Sequence, residues 1–139
     1  MKKVINTNAI LENSPSVQAQ IEEFLEGLDA PMKAVMQIGI AFDEIFSNIV
    51  FYAYNSKGGP CEIVLEELSC EDGKHGVSVS FIDEGPFYNP LEREDPDISL
   101  SAEERQIGGL GVLLVKKQMD DVSYEYKDNQ NRLKLIKYF

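Results

Sequence analysis

The chain has 139 residues, enough for one domain with a sizeable core. Asp and Glu number 24 against 13 Lys and Arg, a net charge of −11. Phosphate backbones and anionic bilayers select clustered Lys and Arg, so this balance argues against nucleic acid or a membrane as the main partner. The charge reads either as a solubility device or as a docking surface for a basic partner.

The N-terminal stretch MKKVINTNAILENSP lacks the apolar core of a signal peptide, and no run approaches membrane-spanning length. A cytoplasmic location is the expectation. Residues 2–11 make a weak first strand. Ser14-Pro15 reads as an N-cap followed by proline at the first helical position, and Gly27 stops that helix after residue 26. Pro31 opens a longer helix reaching about residue 54. Its apolar positions Val35, Ile38, Phe42, Ile45, Ile49 and Ala53 recur at spacings of three and four, a helical stripe. The turn residues of 55–60 end it.

The character then changes. CEIVLEELSC (61–70) and HGVSVSFID (75–83) read as strands, joined by a hairpin at Asp72-Gly73. A straight strand keeps Cys61 and Cys70 about 30 Å apart, too far for a disulfide, so both are expected as reduced structural thiols. His75 is expected to be an exposed hairpin residue with no chemical role. Residues 84–107 form a long, charged, proline-bearing segment, a kind that is usually functional inside a compact domain. Within it Ser101-Ala102-Glu103-Glu104 matches a capping box and predicts a short helix. A further helix spans residues 109–119. DVSYEYK (121–127) and RLKLIKYF (132–139) are the last strands, turning through Asp128 and Asn129. This order predicts an α+β two-layer sandwich spanning residues 1–139 as one domain. Its sheet is mixed and mostly antiparallel, with helices on one face.

Three polar clusters interrupt this ordinary pattern. Glu44 and Asn48 lie one helical turn apart beside the apolar stripe. A carboxylate there could take a proton from a hydroxyl or water, and an amide oxygen could join the shell of Mg²⁺. A solvated helix flank is the plainer reading. Asp83-Glu84-Gly85 follows a strand directly. An ionised Asp accepts hydrogen bonds and suits the exocyclic amino group of adenine, and Gly85 lets a planar ring approach the backbone. A simple turn would carry the same residues. Ile107-Gly108-Gly109-Leu110-Gly111 leads into a helix, where free amides and a positive dipole end make an anion site. It is neither a P-loop nor a dinucleotide fingerprint, and an isolated glycine cluster also serves as a hinge.

The order of these clusters resembles the nucleotide-binding domain of the GHKL superfamily, shared by gyrase, histidine kinases and mismatch-repair ATPases. Acid and amide on a helix, Asp-x-Gly after a strand, a variable loop and Gly-Gly-x-Gly at a helix start make up that constellation. Within it the chain is most similar to the small bacterial anti-sigma-factor serine/threonine kinases, through GGLGVLLVKKQMDDVSYEYKDNQNRLKLIKYF. The resemblance implies the Bergerat fold, with ATP and Mg²⁺ as cofactors. It makes Glu44 the general base, Asn48 the Mg²⁺ ligand and Asp83 the reader of adenine, with Gly85 admitting the base. Gly108, Gly109, Leu110 and Gly111 would wrap the phosphates, and residues 91–107 would form the ATP lid, from which Arg105 is a candidate contact to the terminal phosphate.

The implied activity is phosphorylation of a small antagonist protein, coupled to binding of a sigma factor or another effector in a partner switch. Homodimers through the outer sheet edge are also implied. A non-catalytic ATP-binding module whose partner affinity depends on nucleotide is the alternative, and a domain acting by protein contacts alone is a third. Three positions depart from the family pattern. Tyr52 stands where His is frequent, Asn89 where Asp precedes proline, and Ile107 where a polar residue precedes the glycines.

Overall fold

A computed structural model describes residues 1–69, 73–92 and 109–139. The expected helix at 101–104, together with Arg105, Ile107, Gly108, Cys70 and nearly all of the 91–107 segment, lies outside the described residues. Five strands form one sheet: β1 (Lys2–Asn8), β2 (Pro60–Ser69), β3 (His75–Asp83), β4 (Asp121–Lys127) and β5 (Gln130–Tyr138). Their order across the sheet is β1-β2-β3-β5-β4, and all four pairings are antiparallel. The parallel component expected of a mixed sheet is absent among the described residues. Helices α1 (Ser14–Gly27), α2 (Met32–Asn48) and α3 (Gly109–Gln118) complete the fold.

Alternation decides which face of the sheet is buried. Ile5, Ile63, Phe81 and Leu133 face one another across four strands, and Leu65, Val79 and Leu135 form the next row. All seven are buried together with the apolar stripe of α2. Ser78, Ser80, Arg132 and Lys134 fall on the opposite face by the same alternation. Phe42 of α2 joins the layers, its ring stacking on Phe46 at 5.2 Å and on Phe81 of β3 at 6.2 Å.

Local signals place the helix ends. Pro15 opens α1, which begins at Ser14 after a short 3₁₀ turn, so Asn13 rather than Ser14 is the cap. Gly27 is the last helical residue, but the left-handed residue that ends the run is Asp29 (φ 56°). Asp128 and Asn129 both have positive φ (55° and 59°), the two-residue hairpin geometry between β4 and β5. His75 is exposed, as expected, but it is the first residue of β3 and packs its ring near Phe139.

The end of α2 differs from expectation. Residues Ile49–Ala53 form a π-helical turn rather than a regular continuation, a form that is rare and concentrated at functional sites. Together they make one helix, Met32–Ala53, of 22 residues, long and apolar enough to cross a bilayer by length and composition. That corrects the expectation that no run approaches membrane-spanning length. The apolar residues responsible, Ile38, Phe42, Ile45 and Ile49 among them, are buried against the sheet, which explains the composition without a membrane.

Phe42 is fully buried and touches both layers. Phe42→Ala should therefore cost about 3–5 kcal/mol of unfolding free energy in urea titration.

Candidate functional site

The site begins at the end of the central strand. Val77, Val79 and Phe81 point inward, and the same period carries Asp83 inward too, so that this acidic residue is only 5% exposed. Its cross-strand neighbours are Cys61 and Asn131. The Asn131 amide donates to Asp83 Oδ1 at 2.9 Å, and the Gly85 backbone N–H donates to the same oxygen at 2.9 Å. Among the described residues both bonds fall on Oδ1. Burial pushes the Asp83 carboxyl above its ordinary value, and the bonds from Asn131 and Gly85 pull it partly back.

Asn131 does more than hold Asp83. Its Nδ2 also donates to the Pro86 carbonyl at 2.9 Å, while its Oδ1 accepts from the Tyr88 N–H at 3.0 Å and from the Tyr124 hydroxyl. One buried amide thus pins the whole 83–88 turn. Tyr54, just beyond the π turn, fastens that turn from the other side. Its hydroxyl donates to the Pro60 carbonyl at 2.5 Å and accepts from the Glu84 N–H at 2.7 Å. Desolvation raises the Tyr54 pKa to about 12, so it remains a donor. The Cys61 thiol is likewise pushed up to about 12 by burial and by Asp83 beside it, which keeps it protonated and inert.

Gly85 packs against the end of α2. A β-carbon there would lie 2.7 Å from Ala53 Cβ and 2.8 Å from its carbonyl oxygen. Glycine is required because two backbones meet, a tighter constraint than making room for a ring.

Asn48 is buried and opens onto the same pocket as Asp83, with Ile45, Ile49, Phe81 and Leu133 around them. Glu44, one turn earlier, is half-buried. Desolvation raises its pKa, and the nearby Asn48 amide opposes that rise. Even so, Glu44 Oε1 and Asn48 Nδ2 are both buried without a hydrogen bond of good geometry. Buried polar atoms left in this state call for a partner, such as a water or an ion. Half a turn of the Asn48 amide exchanges its nitrogen and oxygen, so the orphaned position can equally present an acceptor to a cation.

Helix α3 closes the constellation. Gly109 and Leu110 lie in its first turn, with Gly111 beside them. A β-carbon on Gly111 would sit 2.1 Å from the Glu44 carboxyl carbon. The α2 carboxylate therefore rests against the opening turn of α3, and the Gly-rich motif and the acid-amide motif meet in space. No group of three or more His, Cys, Asp or Glu gathers among the described residues. A cation here would rely on few protein ligands plus water and phosphate oxygens, the habit of Mg²⁺.

Two departures from the family pattern have visible consequences. Tyr52 stacks on Tyr88, with ring centroids 5.8 Å apart. Asn89 uses its side-chain oxygen to accept the Leu91 N–H at 2.9 Å, a bond that aspartate could equally make. Asn131 and Tyr54 were not among the sequence candidates. Starting the last strand at residue 132 put Asn131 in the turn, whereas the alternation Asn131-Leu133-Leu135 carries it onto the buried face.

A family profile for the histidine kinase-like ATPase domain matches residues 7–137. The serine/threonine-protein kinase BtrW of Bordetella bronchiseptica is 31% identical over 96 residues, covering 69% of this chain and 65% of that protein. The anti-sigma F factor of Clostridium acetobutylicum is 24% identical over 118 residues, 82% of this chain and 76% of that protein. In structure, the RsbU and RsbW domains of Rv1364c from Mycobacterium tuberculosis superpose with a TM-score of 0.62 at 19% identity. That alignment takes in 99% of this chain and 32% of that one, and shows the shared fold.

A raised carboxyl pKa favours the protonated form in the folded state. Stability associated with Glu44 is therefore full below its ordinary value of 4.5 and declines as pH rises through its higher folded value. Glu44→Gln should raise Tm relative to wild type at pH 7, with the gain vanishing near pH 4. Calorimetry at the two pH values reads this out.

Proposed function

The chain belongs to the histidine kinase-like ATPase family, and from that premise we propose that it is an ATP- and Mg²⁺-dependent serine/threonine protein kinase of the anti-sigma-factor type. It phosphorylates a small antagonist protein and, when free of it, holds a sigma factor or another effector. The observation that carries this reading is the meeting of three motifs. The Glu44 carboxylate rests on the first turn of α3 beside Gly111, one helical turn from Asn48, which shares a pocket with Asp83. Relatives whose names record kinase and anti-sigma activity support it.

In this reading Asp83 Oδ2 accepts the adenine amino group while Asn131 and Gly85 hold Oδ1 in place. Guanine would present a carbonyl there and be repelled. The pocket is small, about 30 Å³, with Tyr88, Pro90 and Tyr124 among its lining residues. The first amides of α3 receive phosphate oxygens. Asn48 would hold Mg²⁺ through its amide oxygen, and the ion, when bound, neutralises charge on the transferring phosphoryl group.

Glu44 acts on the acceptor. Its carboxylate takes the proton of a Ser or Thr hydroxyl as that oxygen bonds to the γ-phosphorus and the bond to the β-phosphate oxygen breaks. ADP and the phosphorylated antagonist leave. Desolvation of Glu44 brings its pKa closer to neutral, which strengthens it as a base once ionised.

Labelled ATP and a co-encoded candidate antagonist test the reading. Glu44→Gln should keep nucleotide binding and lose roughly 10²–10⁴ in transfer rate. The wild-type rate should rise with pH through the elevated Glu44 pKa, because the base must be ionised. Asp83→Asn should weaken ATP binding about tenfold or more, and unchanged affinity would remove the adenine assignment. Wild type that binds ATP but phosphorylates no partner would instead be a nucleotide-sensing binding module.

A further inference from the structure

Away from the nucleotide pocket, the antiparallel pair α1 and α2 leaves a groove of about 400 Å³ between them. Along α2, Met32, Met36 and Ile40 stand at successive i+4 positions and are 72%, 59% and 48% exposed. Along α1, Glu22 and Glu26 form the facing rim, and Asp43 closes the far end. No basic side chain lines the groove among the described residues. Gly39 keeps it deep, since a β-carbon there would crowd the Gln18 amide at 3.1 Å.

Exposed methionines in a row are costly to leave in water and adapt readily to an incoming surface. Three positions at i, i+4 and i+8 span about 12 Å, two turns of a docked helix. An acidic rim selects Lys and Arg on that helix, and the net charge of −11 reinforces this over longer range. A second copy of this chain fits poorly, because an isologous contact would bring one acidic rim against another. An anionic bilayer is repelled for the same reason.

The stripe also has a direction. The next i+4 position after Ile40 is Glu44, about 6 Å further along the helix axis. We propose that the groove docks a basic amphipathic helix of the phosphoacceptor protein, apolar face on Met32, Met36 and Ile40, delivering the acceptor hydroxyl toward Glu44. This rests on the kinase reading for the delivery step and on the groove alone for the binding step.

The four methionines provide the test. In the full chain carrying ¹³C-methyl methionine, a synthetic amphipathic peptide of about five helical turns, Leu on one face and Lys on the other, should shift the Met32 and Met36 methyl signals. Buried Met119 should not move, and the matching Glu-bearing peptide should shift nothing. Met36→Asp with Ile40→Asp should weaken the Lys peptide about tenfold while ATP affinity stays unchanged. Glu22→Lys with Glu26→Lys should transfer the preference to the Glu peptide. Equal response to both peptides overturns the proposal, as do Met32 and Met36 signals that move on dilution of the protein alone, the mark of a second copy. Charge-selective peptide binding in a chain that binds no ATP would leave the groove standing and remove the kinase reading.

Discussion

A carboxylate buried at the end of the central strand is the constraint around which the site is arranged. Alternation along β3 forces Asp83 inward, into surroundings that oppose its charge. The fold answers with Asn131 directly across the ladder, and that one amide then dictates the path of residues 83–88. The position of Gly85 against Ala53 follows, and with it the separation between the sheet and the end of α2. Removing the carboxylate would take away the acceptor that both Asn131 and Gly85 use, and so relax the turn itself.

The second carboxylate works under the opposite arrangement. Asp83 is fixed by two donors to one oxygen, whereas among the described residues Glu44 Oε1 is buried without a well-placed donor. A pinned acid suits recognition of a fixed ligand atom, and an unpinned acid suits proton transfer. Both are shifted upward by burial, Asp83 while bonded by Asn131 and Gly85, Glu44 while resting against Gly111.

Much of this was legible in the chain itself. β3 and β4 follow alternation closely enough that their expected and observed limits agree, and the stripe on α2 is the one that lies on the sheet. Glu44, Asn48, Asp83 and Gly111 converge because helical and strand periods place them, and those periods are readable without coordinates. Asn131 was hidden because an asparagine next to a turn looks like part of it. Tyr54 was hidden because its role depends on a fold that brings the start of β2 and the residue just past β3 to one hydroxyl. The π turn leaves no pattern in residues 49–53, since its extra residue is set by packing rather than by propensity.

That π turn ties together two kinds of register. Five residues occupy the space of a shorter regular turn, and Tyr54 emerges from them aimed at both Pro60 and Glu84. Each residue of an α-helix rotates the next by about 100°. Shortening the segment by one residue would restore an ordinary helix and swing the phenol away from both Pro60 and Glu84. The length of this helix is thus tuned to a single residue, and an insertion or deletion within 49–54 would displace the 83–88 turn that Ala53 and Tyr54 hold from the other side.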